Sequence, residues 1–277
     1  MSDHYRKFLR TSQLPHVWCP GCGNGMIVKA LLEAIGELKL DQNKVAVISG
    51  IGCSGRTPFV LDFNTMHTTH GRALAFATGV KLANPELRVI VIMGDGDASA
   101  IGGNHFIHAC RRNLDLTALI FNNGIYGLTG GQLAPTTPTG KKSTTSQAGS
   151  IEQPFDLVRL ALGAGAGFVA RTTSFDHKQS ASLIKRAISH RGFSVVDILT
   201  SCPTYFGRMN EVAEPYDMVH YLRDTSTPLH DCTCGESDAP APELMPTGIF
   251  REEVRTDYES LYRQKVAAAS AGRRSTP

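Results

Sequence analysis

Two apolar, β-branched runs, residues 87–93 (LRVIVIM) and 116–121 (LTALIF), flank a helix-length segment in which Phe106, Ile107 and Cys110 are spaced to face a sheet. This pattern predicts a βαβ unit. Its parallel strands end on one side of the sheet, so Gly94-Asp95-Gly96-Asp97 and Asn122-Asn123 share the carboxyl edge where open α/β sheets bind ligands. The same patterning predicts a helix from Asn24, as its cap, to about residue 39, with Met26, Ile27, Ala30, Leu31, Ala34 and Ile35 as its stripe. A strand over 44–49 ends in the glycine-rich turn 50–56 (GIGCSGR), and a small-residue helix over 71–83 packs its alanines and Gly79 closely on the sheet. Further helices are predicted over 155–162 and 176–190, with strands over 167–171 and 193–199, the last ending in Ser201-Cys202-Pro203-Thr204. Residues 129–150, rich in Gly, Thr, Pro and Ser, form a loop long enough to suggest a lid or partner contact. After residue 204 the alternation stops. The expectation is an α/β domain over 1–204, with a parallel central sheet and helices on both faces, and an extended C-terminal arm over 205–277 with a short helix near 256–269.

Asp95 offers a hard anionic oxygen, Asn123 a neutral one, and the carbonyl of Ile125 a third. This set suits an octahedral magnesium that keeps some water and takes its other ligands from phosphate. Gly94 and Gly96 let phosphate approach the backbone, and the following helix points its free amides at the same anion. A Gly-Asp-Gly turn alone is weak evidence. Paired with Asn122-Asn123 at the next strand end, it resembles the magnesium-diphosphate motif of thiamine diphosphate enzymes.

The 277 residues suffice for a sizeable core and permit one or two domains. A net charge of +3 is mild and scattered, with Lys141-Lys142 and Arg273-Arg274 reading as loop and tail charges, so no nucleic-acid partner is expected. No apolar run nears the roughly 20 residues of a membrane helix, and the first residues lack a signal-peptide core, so no membrane partner and a cytoplasmic location are expected. Seven cysteines in such a chain point to metal or redox work rather than a disulfide scaffold.

Cys19 and Cys22 form a C-x-x-C pair whose Pro and Gly keep the loop tight, and Cys53 and Cys202 each follow a predicted strand. All four converge on the carboxyl edge. Four-thiolate ligation suits zinc or an iron-sulfur cluster, and spacing alone does not choose. Cys110 reads as a buried small hydrophobe, while Cys232 and Cys234, in the polar arm, read as either exposed or metal-binding.

The segments WCPGCGNG, GIGCSGRTP, HTTHGRALAFATGVKLA, GDGDASAIGGNHFIHACRRN, FNNGIYGLTGGQ, PTTPTGKKS and SCPT together resemble the β subunit of the 2-oxoacid:ferredoxin oxidoreductases over residues 18–204. PTGIF at 246–250 is similar to that family's C-terminal arm. The resemblance implies a thiamine diphosphate-binding fold, with magnesium on Asp95, Asn123 and Ile125, and one 4Fe-4S cluster on Cys19, Cys22, Cys53 and Cys202. It assigns Ile51, Gly52, Cys53, Ser54, His70, Gly94, Asp95, Gly96, Asp97, Asn123, Ile125, Gly127, Leu128 and Thr129 to the cofactor. Arg56, His70 and Leu128 fall to the reacting end, Arg56 as a guanidinium that could pair with a substrate carboxylate.

The implied reaction is oxidative decarboxylation of a 2-oxoacid with coenzyme A, giving acyl-CoA and carbon dioxide and sending electrons through the cluster to ferredoxin. No pyrimidine-activating carboxylate can be placed in this chain, and no two-cluster ferredoxin run is present. Both fit an α subunit that completes the site, an external ferredoxin, and an αβ or (αβ)2 assembly. The forms GIGCS, HGRA, GIYGLT and SCPT look more like the 2-oxoglutarate branch than the single-chain pyruvate enzymes, although Gly130 stands where many relatives carry lysine. The alternatives are a pyruvate or broad-range 2-oxoacid enzyme, and a zinc-stabilised, non-catalytic binding subunit.

Overall fold

In the computed structural model, which describes residues 3–229 and 244–274, strands and helices alternate as the hydrophobic pattern requires. Short 3-10 turns lead into α1 (Asn24–Glu37), β1 (Val45–Ser49), α2 (Thr57–Val60), β2 (Asn64–His67), α3 (Ala73–Ala83), β3 (Arg88–Gly94), α4 (Gly103–Arg112) and β4 (Thr117–Asn122). A small hairpin of β5 (Ile125–Tyr126) and β6 (Gln132–Leu133) is followed by α5 (Leu157–Gly163), β7 (Phe168–Thr173), α6 (His177–Ser189) and β8 (Ser194–Leu199). The chain then forms α7 (Pro215–Asp224), β9 (Ser226–Pro228), β10 (Met245–Glu252) and α8 (Tyr258–Arg274).

Eight strands make one sheet in the order β2-β1-β3-β4-β8-β7-β10-β9, parallel throughout except where β10 meets β7. Central strands are buried on both faces, which is why they read as unbroken apolar runs. Val45, Val47, Ile90, Ile92, Leu119 and Ile198 pack in one core with α1 and α6, while Ala46, Ile48, Val91, Ala118 and Ile120 pack in the other with α3, α4 and α5. The period of two along each strand thus sorts its side chains between two helical layers.

Four expectations change in detail. The arm does not only wrap: residues 245–252 join the sheet against β7, and α8 runs longer than the expected short helix. Asn113, in a left-handed conformation at the end of α4, ties this arm down, its side-chain amide donating to the carbonyls of Arg255 and Thr256 while its oxygen accepts from Phe193. Asn24 is the first residue of α1 rather than its cap. On α4, Phe106, Ala109 and Cys110 face inward but Ile107 is 37% exposed, since one step round a helix turns a side chain by about 100°. Gly79 faces outward with open space where a Cβ would stand, and Ala73 and Ala77 make the close contact instead. Cys232 and Cys234 lie outside the described residues.

One buried ion pair stands behind the carboxyl edge. Arg171 on β7 donates from Nε to Asp197 on β8 at 2.8 Å and from a terminal nitrogen to Asp156, the cap of α5, at 2.5 Å. Asp197 also accepts from Asn122 at 3.0 Å, at the end of β4. Arg171→Met leaves the buried Asp197 without its cation, while Asp156 keeps Arg159 at 3.8 Å, and a loss of about 3–5 kcal/mol is expected in denaturant unfolding. Unchanged stability would show the pair to be dispensable.

Candidate active site

Four loops leave the carboxyl ends of neighbouring strands and meet over the sheet: 50–56 after β1, 94–97 after β3, 123–129 after β4 and 201–204 after β8. Between the first three lies a cavity of about 300 Å3. Every residue assigned to the cofactor from the sequence borders it, including Ile51, Gly52, Ser54, Asp95, Asn123 and Thr129; Asn24, Phe121 and Tyr126 border it as well. A Cβ on Gly96 would stand 2.3 Å from the ring of Tyr126, so only glycine allows this close approach. The Tyr126 hydroxyl donates to the Gly96 carbonyl at 3.3 Å and so fixes the turn that carries Asp95 and Asp97.

The donors fit an anionic cofactor with a divalent cation. Ser54 Oγ and Asn24 Oδ1 are buried without partners and border the cavity, the state of polar groups that a ligand would satisfy. Asp95 is buried and accepts from the Thr136 hydroxyl, yet burial still pushes its carboxyl up to about 6. A cation at this carboxylate would reverse that push. Asn123 Oδ1 accepts from the Ile125 amide at 3.2 Å, which holds both proposed ligand groups in one tight turn. His70 Nδ1 approaches Asp97 Oδ1 to 2.7 Å, and the same oxygen accepts from the Gly71 amide at 2.6 Å. Burial raises the pKa of Asp97 as well.

The long loop turns out to be an inner support. Its ends are cross-linked by Gly131 N to Tyr126 O and Thr144 N to Gly131 O, both 2.8 Å, and it delivers Thr136 to Asp95 and Thr137 to the Gly124 carbonyl. Thr136 escaped sequence reasoning because nothing local marks which threonine of PTTPTG reaches Asp95. Gly130 adopts φ +118°, a conformation a lysine there would strain.

A second cavity, of about 600 Å3, is bordered by Cys19, Cys22, Cys53 and Cys202 together with Arg56. It shares Cys53, Asn123, Gly127 and Leu128 with the first. Gly127 marks the thin point between them: a Cβ there would stand 3.5 Å from Cys202 Sγ and 3.6 Å from Cys53 Sγ. Burial pushes the Cys22 thiol up to about 12 and that of Cys53 up to about 11. Among the described residues no three His, Cys, Asp or Glu side chains meet around a single ion. Cys19, Cys22, Cys53 and Cys202 border this one cavity from three separate segments of chain, and four thiols are the donor set that a 4Fe-4S cluster takes. Arg56 lies on this larger cavity and not on the smaller one, while His70 lies only on the smaller and Leu128 on both.

This sheet edge, with Gly-Asp-Gly and Asn123 bordering one cavity, is that of a thiamine diphosphate-binding enzyme domain, and residues 44–198 match the model described as thiamine pyrophosphate enzyme, C-terminal TPP binding domain. The 2-oxoglutarate synthase subunit KorB of Archaeoglobus fulgidus is 49% identical over 260 residues, covering 93% of this chain and 92% of the relative. The 2-oxoacid:ferredoxin oxidoreductase subunit beta of Saccharolobus solfataricus is 50% identical over 190 residues, 68% of this chain and 62% of that one. A solved 2-oxoglutarate:ferredoxin oxidoreductase from Magnetococcus marinus, with 2-oxoglutarate, coenzyme A and succinyl-CoA bound, superposes with a TM-score of 0.82 at 33% identity, covering 99% of this chain and 96% of that one. The chain belongs to the family of 2-oxoacid:ferredoxin oxidoreductase β subunits. No helix among the described residues is long and apolar enough to cross a membrane.

Proposed function

We propose that this chain is the β subunit of an enzyme that oxidatively decarboxylates 2-oxoglutarate with coenzyme A and reduces ferredoxin, working with an α subunit that supplies the rest of the active site. The observation that carries the reading is the shared wall: Cys53, Asn123, Gly127 and Leu128 border both the diphosphate cavity and the thiol cavity. When bound, thiamine diphosphate supplies a nucleophilic carbon and a 4Fe-4S cluster on Cys19, Cys22, Cys53 and Cys202 a one-electron acceptor. The 2-oxoglutarate named with the Magnetococcus relative, and the KorB relatives, support the choice of acid.

The side chains divide the work. Asp95 and Asn123, with the Ile125 carbonyl, would hold a magnesium ion, which would neutralise the charge of the diphosphate, and Thr136 keeps Asp95 in one orientation. Gly94 and Gly96 would admit phosphate oxygens to the backbone, and the unpartnered Ser54 hydroxyl would donate to them. His70, braced by Asp97, carries its outer nitrogen to the cavity as a proton donor or acceptor for the substrate. Leu128 lies at the junction of the two cavities and gives both an apolar wall. Arg56, on the larger cavity, pairs with the distal carboxylate of the acid.

The test is anaerobic co-purification with the α subunit, then visible absorbance with coenzyme A and either 2-oxoglutarate or pyruvate. Bleaching by 2-oxoglutarate and much weaker bleaching by pyruvate is expected. Equal bleaching would remove the preference, and a colourless, iron-free complex would remove the redox reading.

A further inference from the structure

An electron that crosses the shared wall into the thiol cavity must leave by another side, and the structure gives that side an unusual surface. Besides the thiols and the shared wall, the cavity is bordered by Gln13, His16, Val17 and Phe59. Residues 11–17 are exposed one after another, yet both ends of the segment are fixed. At one end Leu9 bridges Leu61, Arg10 N donates to Val60 O at 3.0 Å, and the Arg10 guanidinium reaches Thr65 Oγ1 at 3.1 Å. At the other, Trp18 is buried and its indole donates to the Cys53 carbonyl at 2.8 Å.

The strap is therefore anchored at both ends, and it holds apolar side chains out in solvent: Leu14 is 41% exposed and Val17 75%, and Phe59, which borders the same cavity as Val17, is 43% exposed. Fixed, exposed apolar groups of this kind mark an interaction surface. Cys19, next in sequence to Trp18, is itself exposed at this side. Charge narrows the partner. Lys7 and Arg10 lie just before the strap, residues 11–17 carry no acidic side chain, and the Arg56 guanidinium lies over the Phe59 ring at 5.6 Å. The carboxylate of Asp62 lies 3.8 Å from Arg10.

We propose that the strap 11–17 and Phe59 form the docking surface for a small acidic iron-sulfur carrier, which takes electrons beside Cys19. This rests on the reading that the four thiols hold a cluster. One electron passes per encounter: the cluster on this chain is oxidised, that of the carrier is reduced, and no bond or proton moves. Complementary charge would speed the encounter, and the small apolar centre suits the limited interfaces of transient redox pairs.

The experiment uses the co-purified αβ complex and an acidic two-cluster bacterial ferredoxin. On the wild type, adding oxidised ferredoxin is expected to slow hydrogen exchange of amides in 11–17, and affinity is expected to fall with salt. Val17→Glu should weaken ferredoxin binding about tenfold or more and raise its KM alike, with visible colour, α-subunit retention and the rate with a viologen dye unchanged. Absence of exchange protection in a coloured wild-type complex would overturn the docking surface alone. So would a Val17→Glu complex that sheds the α subunit, because the face would then belong to that subunit. A colourless wild-type complex would instead sink the cluster reading beneath it.

Discussion

Replacing Cys22 by serine should bleach the purified complex and reduce ferredoxin reduction to background, while thiamine diphosphate binding survives. The separation follows from where the residue lies. Cys22 borders the thiol cavity and not the diphosphate cavity, whereas Cys53 borders both. A serine hydroxyl is a poor ligand for iron and close in size to the half-buried thiol, so the C-x-x-C loop keeps its path. Iron analysis and visible absorbance read the loss, and calorimetric titration with thiamine diphosphate and magnesium reads the retained site. Full activity with serine at 22 would remove this cysteine from the electron path. In the cluster-free chain the raised thiols stay protonated at neutral pH, so cluster assembly must release protons and weaken as pH falls.

Asp95→Asn is expected to act in two opposite directions. With cofactor, it removes the anionic oxygen from the proposed magnesium site, and affinity for thiamine diphosphate with magnesium should fall by at least about a hundredfold. Without cofactor, the same change should stabilise the fold above about pH 6. Burial places the folded Asp95 pKa near 6, above its ordinary value of 3.8, because the Thr136 hydrogen bond only partly offsets the loss of water. The protonated form therefore favours folding below the ordinary carboxylate pKa, and that support is lost as pH rises through about 6. For the wild type, magnesium must displace that proton, so its apparent affinity should drop about tenfold per pH unit below about 6 and level off above. Denaturant unfolding of the cofactor-free chain and calorimetric titration across pH test both signs. A flat affinity profile would show that Asp95 is not the group that gates the cation.

Much of the architecture was readable because parallel strands buried on both faces leave long apolar runs that tolerate little else. The boundaries of β1, β3, β4 and β8 shift from their expected positions by only a residue or so. Less was readable where local and tertiary demands diverge. Asn24 looks like a helix cap, but Gly23 takes that place and the Asn24 side chain turns to the cofactor cavity. The arm after residue 204 has no alternating pattern, yet Asn113 and β7 fix part of it as a strand of the main sheet.

The sequence by itself determined which chemical groups are present and at which strand ends: the turns at 50–56, 94–97, 122–123 and 201–204 follow from where apolar runs stop and glycine or a polar residue begins. Only the tertiary structure decided their mutual placement. Strand order puts β1, β3, β4 and β8 side by side, and Cys53, Asn123, Gly127 and Leu128 then border the diphosphate cavity and the thiol cavity alike. Thr136 on Asp95 and Trp18 on Cys53 were decided in the same way, by contacts across 41 and 35 residues of chain. The hydrophobic pattern settles each strand against its own helices, whereas such contacts depend on how long loops close over the finished sheet edge.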